Sequence, residues 1–545
     1  MIESAGGAST LIEGTASART AAADSDSNAV FASVSVPTAY GIVDGSREGG
    51  VAVFRGVPYA QPPIGALRFR SPQPPEPWTG HRSAAGFSPP FVQSGAPESS
   101  EDALYANVWT PDTAGRFPVL VYIHGGGWQV GAGSVPTFDG ALLAETGELV
   151  VVNFNYRLSG FGWGLHEELA DPRTGLCANW GMQDQAALLD WVSANISAFG
   201  GDPENITLCG TSAGGATAWL LALRARDRNI RRLISISAAH GLPPATALTP
   251  QDSRSVYQAI AAQFGTDVRG LRSIPHPAFH QAWLDAFSGS PDTRRVASGR
   301  EYRGPILDGD TVTELAYSAP TPNVSIMSIH TATEGSFFTD PLSLSFPPAP
   351  PAPTDSAELY AAVRAVLTKI TPQPEADLAE ACVWAYRDAA EDEGLPMDPR
   401  TLWTEVWGDA LFRHQGVRLA EKHARTGRAP GYLMQFAHPV RAPHFGTPHD
   451  ATSKFLFGSH AHPLNVAQFG DGPQERRVSR IFIELVASFA HTGEPKAQDA
   501  PPWPRFDPEL PSTLILGGPQ VARVAGTPKR RQLRFWDDTG LLPRP

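Results

Sequence analysis

The sequence predicts an α/β fold in which a large, mostly parallel sheet carries helices on both faces. Two observations predict it. Apolar runs of strand length alternate with helical patterns, which is typical of a doubly wound sheet. One of these strands leads through Ser212, a serine flanked by glycines, directly into a helix. The strand-like runs lie at 117–123, 149–155, 205–209, 231–237, 324–330 and 431–436.

The remaining elements fit around this sheet. Residues 38–57 are expected to form an antiparallel lead-in. Residues 181–199 carry apolar side chains at helical spacing, and residues 474–492 have the pattern of the C-terminal helix. The polar, helix-prone segment 240–300 and the helical patterns at about 355–425 are expected to form lid insertions over the site.

The segment from Cys209 to Gly215 reads Cys-Gly-Thr-Ser-Ala-Gly-Gly. A Gly-x-Ser-x-Gly turn between a strand and a helix is the nucleophile elbow of the α/β-hydrolase fold. The tight turn strains the serine backbone, and positions 210 and 214 must lack side chains because neighbouring backbone passes close by. The following helix N-terminus favours developing negative charge. Ser212 is therefore the candidate nucleophile.

A glycine run, His124-Gly125-Gly126-Gly127-Trp128, directly follows the strand at 117–123. Glycines let the chain curl around a substrate oxygen, so that backbone N–H groups point at it. The N–H of Ala213, the residue after the nucleophile, is expected to add one more donor. The sequence thus predicts an oxyanion hole beside the serine.

The acid of such a site is expected to close a later strand, since the chain order in this fold is nucleophile, acid, histidine. Glu334 follows the strand at 324–330 and is the candidate acid. Its rivals are Asp308, Asp310 and Asp340. The segment that contains Asp308 and Asp310 has the pattern of a turn.

The base is expected in the loop after the last core strand, 431–436. This loop carries His438, His444 and His449. The residues alone barely separate these candidates, because each is a histidine in the same loop and the chain has 15 histidines in all.

Several segments, in this order along the chain, resemble the type-B carboxylesterase family, which includes the cholinesterases. The resemblance runs from about residue 38 to about residue 505. It implies Ser212 as nucleophile, Glu334 as acid and His449 as base, with His444 in reserve. The segments that carry it are 54–69, 100–111, 153–158, 199–203, 334–335 and 446–449.

The resemblance also assigns the oxyanion donors and one supporting residue. It implies that the amides of Gly126, Gly127 and Ala213 bind the oxyanion. It aligns Ser237 with a buried serine that supports the acid in relatives. A plain strand serine is an equal alternative for Ser237.

Three departures from the family bear on the substrate. Thr211 stands where the family usually has glutamate, so a carboxylate that attracts cationic substrates is missing. Phe91 and Ala103 replace the cysteines of the first disulfide, and the short interval between them holds no tryptophan for a cation–π contact with choline. Asp450 replaces a glycine and adds a carboxylate near the base. Neutral esters are therefore expected rather than choline esters.

Composition bounds the remaining possibilities. The net charge of the 545 residues is −12, and no basic stripe favours nucleic-acid binding. No stretch has the pattern of a membrane span.

We expect a disordered tail at 1–35 and one catalytic domain at 36–545. The three cysteines cannot form a disulfide framework, and residues 1–35 lack the pattern of a signal peptide, so a cytoplasmic location is expected.

The predicted function is a serine carboxylic-ester hydrolase that acts on neutral small-molecule esters through an acyl-enzyme, with no metal or cofactor. A lactonase or an acyltransferase would use the same triad. A non-catalytic interaction protein is a further alternative, because relatives of this fold include cell-adhesion domains. The sequence leaves open the acyl and alcohol groups of the substrate and the oligomeric state.

Overall fold

The computed structural model describes residues 32–224, 228–238, 247–288, 303–343, 349–371 and 374–542. Most of the expected tail at 1–35 therefore lies outside the described residues, as do 240–246 and 289–300 of the expected lid segment. Strand β1 begins at Ser33 and takes in the last three residues of the expected tail.

Thirteen strands of the described part of the chain form one sheet, in the order β1-β2-β3-β5-β7-β6-β8-β9-β10-β11-β12-β13, with β4 paired to β2. The seven strands from β7 to β12 in this order run parallel. The strands on either side of them in this order pair antiparallel, whereas β4 pairs parallel with β2. The strands are β1 (Ser33–Thr38), β2 (Gly41–Glu48), β3 (Val51–Pro58), β4 (His81–Ser83), β5 (Tyr105–Thr110), β6 (Phe117–Ile123), β7 (Val150–Phe154), β8 (Gly201–Thr211), β9 (Ile230–Ile236), β10 (Ser325–Thr331), β11 (Gly431–Phe436), β12 (Thr513–Leu516) and β13 (Ala522–Ala525).

Helices connect the consecutive strands from β6 to β12, and one further helix follows the last strand. A π-helical turn, Asp409–Arg413, joins α10 to α11. None of the described helices is both long enough and apolar enough to cross a bilayer. The helices are α1 (Ala141–Gly147), α2 (Ser159–Gly162), α3 (Trp180–Asn195), α4 (Ala213–Ala222), α5 (Pro250–Gln263), α6 (His276–Ala286), α7 (Ser336–Thr339), α8 (Ser356–Leu367), α9 (Leu378–Glu393), α10 (Pro399–Gly408), α11 (His414–Thr426), α12 (Ala451–Leu456), α13 (Val466–Phe469), α14 (Pro473–Thr492) and α15 (Arg530–Thr539).

Both faces of the sheet are buried. Successive side chains of a strand point to opposite sides, so each strand contributes to two cores. In β6, Val119 and Val121 belong to a core cluster shared with α3 and α4, whereas Leu120 and Tyr122 belong to a second cluster shared with α1 and α14. The predicted doubly wound α/β-hydrolase architecture is thereby confirmed.

The helices between β10 and β11 form a layer with a core of their own. Leu359 of α8, Tyr386 of α9, Trp403 of α10 and Trp536 of α15 pack in this third cluster. Helix α11 also packs against β10 and β11. The prediction of helices at 355–425 is therefore confirmed, and their core lies next to the strands that precede Glu334 and His449.

The expectation that residues 474–492 form the C-terminal helix was wrong. Helix α14 covers Pro473–Thr492, but the chain then adds β12, β13 and α15. Strand β12 extends the parallel sheet beyond β11. Each of these two strands has only four residues, which is too short for a period-two pattern to stand out.

Candidate active site

The turn between β8 and α4 holds Ser212 in a strained conformation. Its φ is 58° and its ψ is −123°, a combination that residues other than glycine rarely adopt. A Cβ on Gly210 would lie 2.3 Å from the Gly214 carbonyl oxygen, and a Cβ on Gly214 would lie 2.1 Å from the Ile123 carbonyl oxygen. Both flanking positions therefore require glycine, as the motif predicts.

We expect Gly214→Ala to destabilise the protein by about 3 kcal/mol, because the added methyl group meets backbone that cannot yield. The measurement is the midpoint of thermal unfolding, together with esterase activity of the folded fraction. Gly526→Ala is the matched control, since a Cβ there meets nothing within 4 Å. Equal melting temperatures for the two variants would contradict the steric argument.

The glycine run after β6 lies against the nucleophile. A Cβ on Gly125 would be 2.9 Å from the Cβ of Ser212. Gly126 and Gly127 have φ of 110° and 60°, and no described residue accepts a hydrogen bond from their amides. Ala213 is the first residue of α4, so its N–H has no acceptor within the helix. These amides are therefore available to an oxyanion beside Ser212.

Two side chains that the sequence analysis did not single out bind the backbone of the glycine run and of the residues just after it. Gln93 accepts from the Gly131 amide at 2.8 Å and donates to the Gly131 carbonyl at 2.9 Å. The Tyr156 hydroxyl donates to the His124 carbonyl at 2.9 Å, and the two rings stack. Both side chains bind backbone far away in sequence, which leaves no local motif.

Glu334 and His449 form a buried pair. His449 Nδ1 lies 2.6 Å from Glu334 Oε2. The other carboxylate oxygen accepts hydrogen bonds from the Ser237 hydroxyl and the Thr331 amide, each at 2.7 Å. Of the two alternatives left open for Ser237, the structure shows the contact with the acid. Each oxygen of the carboxylate has at least one partner that orients it.

The sheet brings this pair to the same edge as Ser212. Thr211 at the end of β8 is in register with Ile236 of β9, and Ile236 with Ile329 of β10. The Ser212 amide donates to the Ile236 carbonyl at 2.8 Å, and the next residue, Ser237, reaches the acid. Strand β11, which precedes His449, pairs parallel with β10. Because carboxyl ends of parallel strands meet at one edge, the four strands from β8 to β11 place the predicted residues at the same edge.

The imidazole of His449 is enclosed by aromatic rings. The Phe412 ring centroid lies 4.1 Å from its own, and Phe337 and Phe338 lie at 6.1 and 5.6 Å. His449 Nε2 is buried and makes no hydrogen bond to any described residue, so the expected Ser212–His449 hydrogen bond is not formed here. In substrate-free enzymes this bond is often long and shortens when substrate binds.

The rival residues have other partners. His444 Nδ1 lies 2.9 Å from Asp340 Oδ2, in a separate pair that is more exposed than the first. His438 Nε2 lies 3.9 Å from a Glu475 oxygen. Asp308 accepts backbone amides of its own turn, including that of Val312 at 2.7 Å. Asp310 follows in the same turn and is exposed.

The departures from the family are accommodated locally. Thr211 Oγ1 accepts a hydrogen bond from the Tyr122 hydroxyl at 3.0 Å. Asp450 lies 3.4 Å from the Lys454 ammonium, and no hydrogen bond within the described part of the chain joins it to His449. Phe91, at a lost disulfide position, is buried against Phe161.

A sequence model of the carboxylesterase family matches residues 32–536. The chain belongs to the carboxylesterase family. It is 32% identical to the para-nitrobenzyl esterase of Bacillus subtilis (strain 168), over 92% of this chain and 98% of that protein. It is 29% identical to the liver carboxylesterase of Sus scrofa, over 90% of this chain and 88% of that protein.

Solved structures agree with this assignment. A Geobacillus stearothermophilus carboxylesterase superposes with a TM-score of 0.75 at 28% identity, over 92% of this chain and 99% of its own. The predicted resemblance to type-B carboxylesterases and the predicted class, a serine carboxylic-ester hydrolase, are confirmed. The relatives favour neither acyl transfer nor a non-catalytic role for this carboxylesterase.

Proposed function

We propose that this carboxylesterase hydrolyses neutral small-molecule esters through an acyl-enzyme, with Ser212 as nucleophile, His449 as base and Glu334 as acid. The observation that carries the proposal is the 2.6 Å contact between His449 Nδ1 and the buried carboxylate of Glu334, at the sheet edge where Ser212 is strained. A carboxylate on Nδ1 leaves Nε2 as the proton acceptor for the serine.

In acylation, the Ser212 oxygen attacks the ester carbonyl carbon while its proton passes to His449 Nε2. The negative charge moves to the carbonyl oxygen, where the amides of Gly126, Gly127 and Ala213 are donors. The imidazolium, stabilised by Glu334, then gives its proton to the alcohol oxygen as the carbon–oxygen bond breaks. The alcohol leaves and the acyl group stays on Ser212.

In deacylation, water takes the place of the alcohol. His449 accepts a proton from the water as the water oxygen attacks the acyl carbon. The same amides stabilise the second oxyanion. The proton then returns to the Ser212 oxygen as the acid is released. Each proton taken by the base is given back within the half-reaction, so the enzyme ends unchanged.

The preference for neutral esters rests on position 211. Thr211 is buried, and its hydroxyl is bound to Tyr122, so it places no negative charge beside Ser212. The chain between Phe91 and Ala103 holds no tryptophan to bind a quaternary ammonium group. The name of one relative, para-nitrobenzyl esterase, is in keeping with a neutral substrate.

The test is a panel of esters that share an acyl group and carry either a neutral or a quaternary ammonium alcohol. We expect the neutral esters to give the higher kcat/KM. Thr211→Glu is expected to raise the ratio of cationic to neutral kcat/KM by about tenfold, because it adds a carboxylate near the substrate. Thr211→Gln, of the same size but without charge, is the control. A wild-type preference for the cationic esters would contradict the proposal.

A cytoplasmic location remains part of the proposal. Its support is that Cys177, Cys209 and Cys382 are all free thiols, a state typical of reducing compartments. That residues 36–545 act as a single catalytic domain is likewise proposed, on the support of the continuous sheet.

A further inference from the structure

Ala332 lies in the turn that carries the acid, one residue after the end of β10 and two before Glu334. Its amide donates to the Phe436 carbonyl, the last residue of β11, at 2.8 Å. Its carbonyl oxygen accepts from two cationic side chains: Arg413 Nη2 at 2.6 Å and Lys529 Nζ at 3.2 Å. Both backbone groups of this residue are therefore held, and two positive charges converge on one peptide oxygen.

The two cations belong to a buried ionic cluster behind the acid. Arg413 lies 2.7 Å from Asp409 and 3.6 Å from Glu405, and Lys529 forms an ion pair with the same Glu405. Arg413 and Asp409 are fully buried, and the Lys529 side chain is 15% exposed. The Tyr386 hydroxyl adds a hydrogen bond to Asp409 at 2.8 Å.

A cluster of this kind is costly to bury. Burial lowers the pKa of Lys529, against the opposing effect of Glu405, because removal from water disfavours the charged form. Buried ion pairs often stabilise a fold no more than apolar residues of the same size would. Ordinary packing thus gives no reason for two cations at this place, whereas holding a peptide carbonyl does.

The same π-helical turn also contacts the base. Phe412 packs its ring 4.1 Å from the His449 ring, and the next residue, Arg413, reaches the Ala332 carbonyl. A π-helical turn carries an additional residue and is frequent at functional sites. Adjacent residues of one turn thus contact the base ring and the turn that bears the acid.

We propose that Arg413 and Lys529 are positioning residues for catalysis: together they hold the Ala332 carbonyl, and so keep the Glu334 carboxylate in hydrogen-bonding contact with His449. Neither side chain touches substrate or reacting atoms. The proposal rests on the proposed roles of Glu334 and His449. Lys529 precedes α15, so the C-terminal segment supports the acid–base pair from outside the region that carries the motifs.

The test compares three variants of the full chain. Lys529→Met/Glu405→Gln removes one donor together with its buried counter-charge, Glu405→Gln alone keeps both donors, and Arg413→Met removes the shorter hydrogen bond. Relative to Glu405→Gln, we expect the double variant to lose about tenfold in kcat with KM unchanged, since small displacements of catalytic groups are costly. Arg413→Met is expected to lose more.

The pH profile separates positioning from mere stability. The acid limb of kcat/KM reports protonation of the free base. A loosened carboxylate stabilises the imidazolium less, so the limb moves to lower pH in the double variant. Lys529→Arg, which keeps a donor at this position, is expected to retain the acid limb of the wild type. Arg531→Met, which loses the exposed ion pairs with Asp388 and Asp392, leaves kcat and the limb unchanged.

Two outcomes would overturn the inference. In one, the double variant matches Glu405→Gln in kcat and in its acid limb. In the other, it loses thermal stability and folded fraction while the limb stays in place, which would mark the cluster as structural. Wild-type protein that a fluorophosphonate fails to label at Ser212 would instead contradict the proposed function, and the positioning role with it.

Discussion

Replacing Ser212 by alanine is expected to lower kcat for a neutral p-nitrophenyl ester by about 10⁶-fold, to the level of residual transition-state binding. The loss is large because no covalent acyl-enzyme can form without the hydroxyl. The remaining rate comes from the oxyanion donors and from binding alone. The measurement is steady-state hydrolysis, with fluorophosphonate labelling followed by mass spectrometry.

Ser193→Ala is the matched control for this experiment. Among the described residues, its hydroxyl bonds only to the Leu189 carbonyl of its own helix, at 3.0 Å, so kcat is expected to stay within about twofold of wild type. If Ser212→Ala kept most of the activity, or if the probe labelled another serine, the assignment of the nucleophile would be wrong.

His449→Ala is expected to lower kcat about as much as Ser212→Ala, since residues that act as one unit lose their effect together. His444→Ala provides an internal comparison, because it removes a histidine of the same loop that also pairs with a carboxylate. It is expected to change kcat by no more than about threefold, since its pair with Asp340 is partly exposed.

The two histidine variants are best compared by pre-steady-state kinetics. Loss of the base slows both release of p-nitrophenol in the first turnover and the steady state, whereas loss of a loop contact leaves the first turnover intact. A large loss in His444→Ala together with an active His449→Ala would make the pair of His444 and Asp340 the catalytic one.

The nucleophile elbow was predictable because its conformation is determined by residues that are adjacent in the sequence. A strand, a serine between glycines at 210 and 214, and a helix leave one way for the chain to turn. The steric demand is local, and the structure meets it with the expected positive φ at Ser212. The strands at 117–123 and 431–436 were predicted to the residue, because their ends are marked by a change in composition.

The acid–base pair was less accessible to such reasoning. Glu334 and His449 are 115 residues apart in the chain, and His444, in the same loop as His449, also faces a carboxylate. Chain order limited the choice, but only the resemblance to carboxylesterases selected one histidine. Proximity in space across two strands is a property of the sheet, and no local pattern encodes it.

The supporting residues could not be predicted from the sequence, for a different reason. Gln93, Arg413 and Lys529 act on backbone atoms of other segments, and any donor of suitable length placed there by the fold would serve. A peptide carbonyl carries no side-chain identity, so the sequence around Ala332 contains no sign that two cations bind it. Short strands such as β12 are hidden for a related reason, since four residues give too little periodicity.

The position of β12 and Lys529 has a consequence for how this hydrolase is made. All the proposed reacting groups have been translated once His449 leaves the ribosome, yet β11 still lacks its neighbour β12 and the acid turn lacks one of its cations. A nascent chain of this length therefore contains all the proposed reacting groups, but not yet the strand and the cation that the C-terminal segment supplies. The proposed support of the acid turn by Lys529 can form only after this residue has left the exit tunnel.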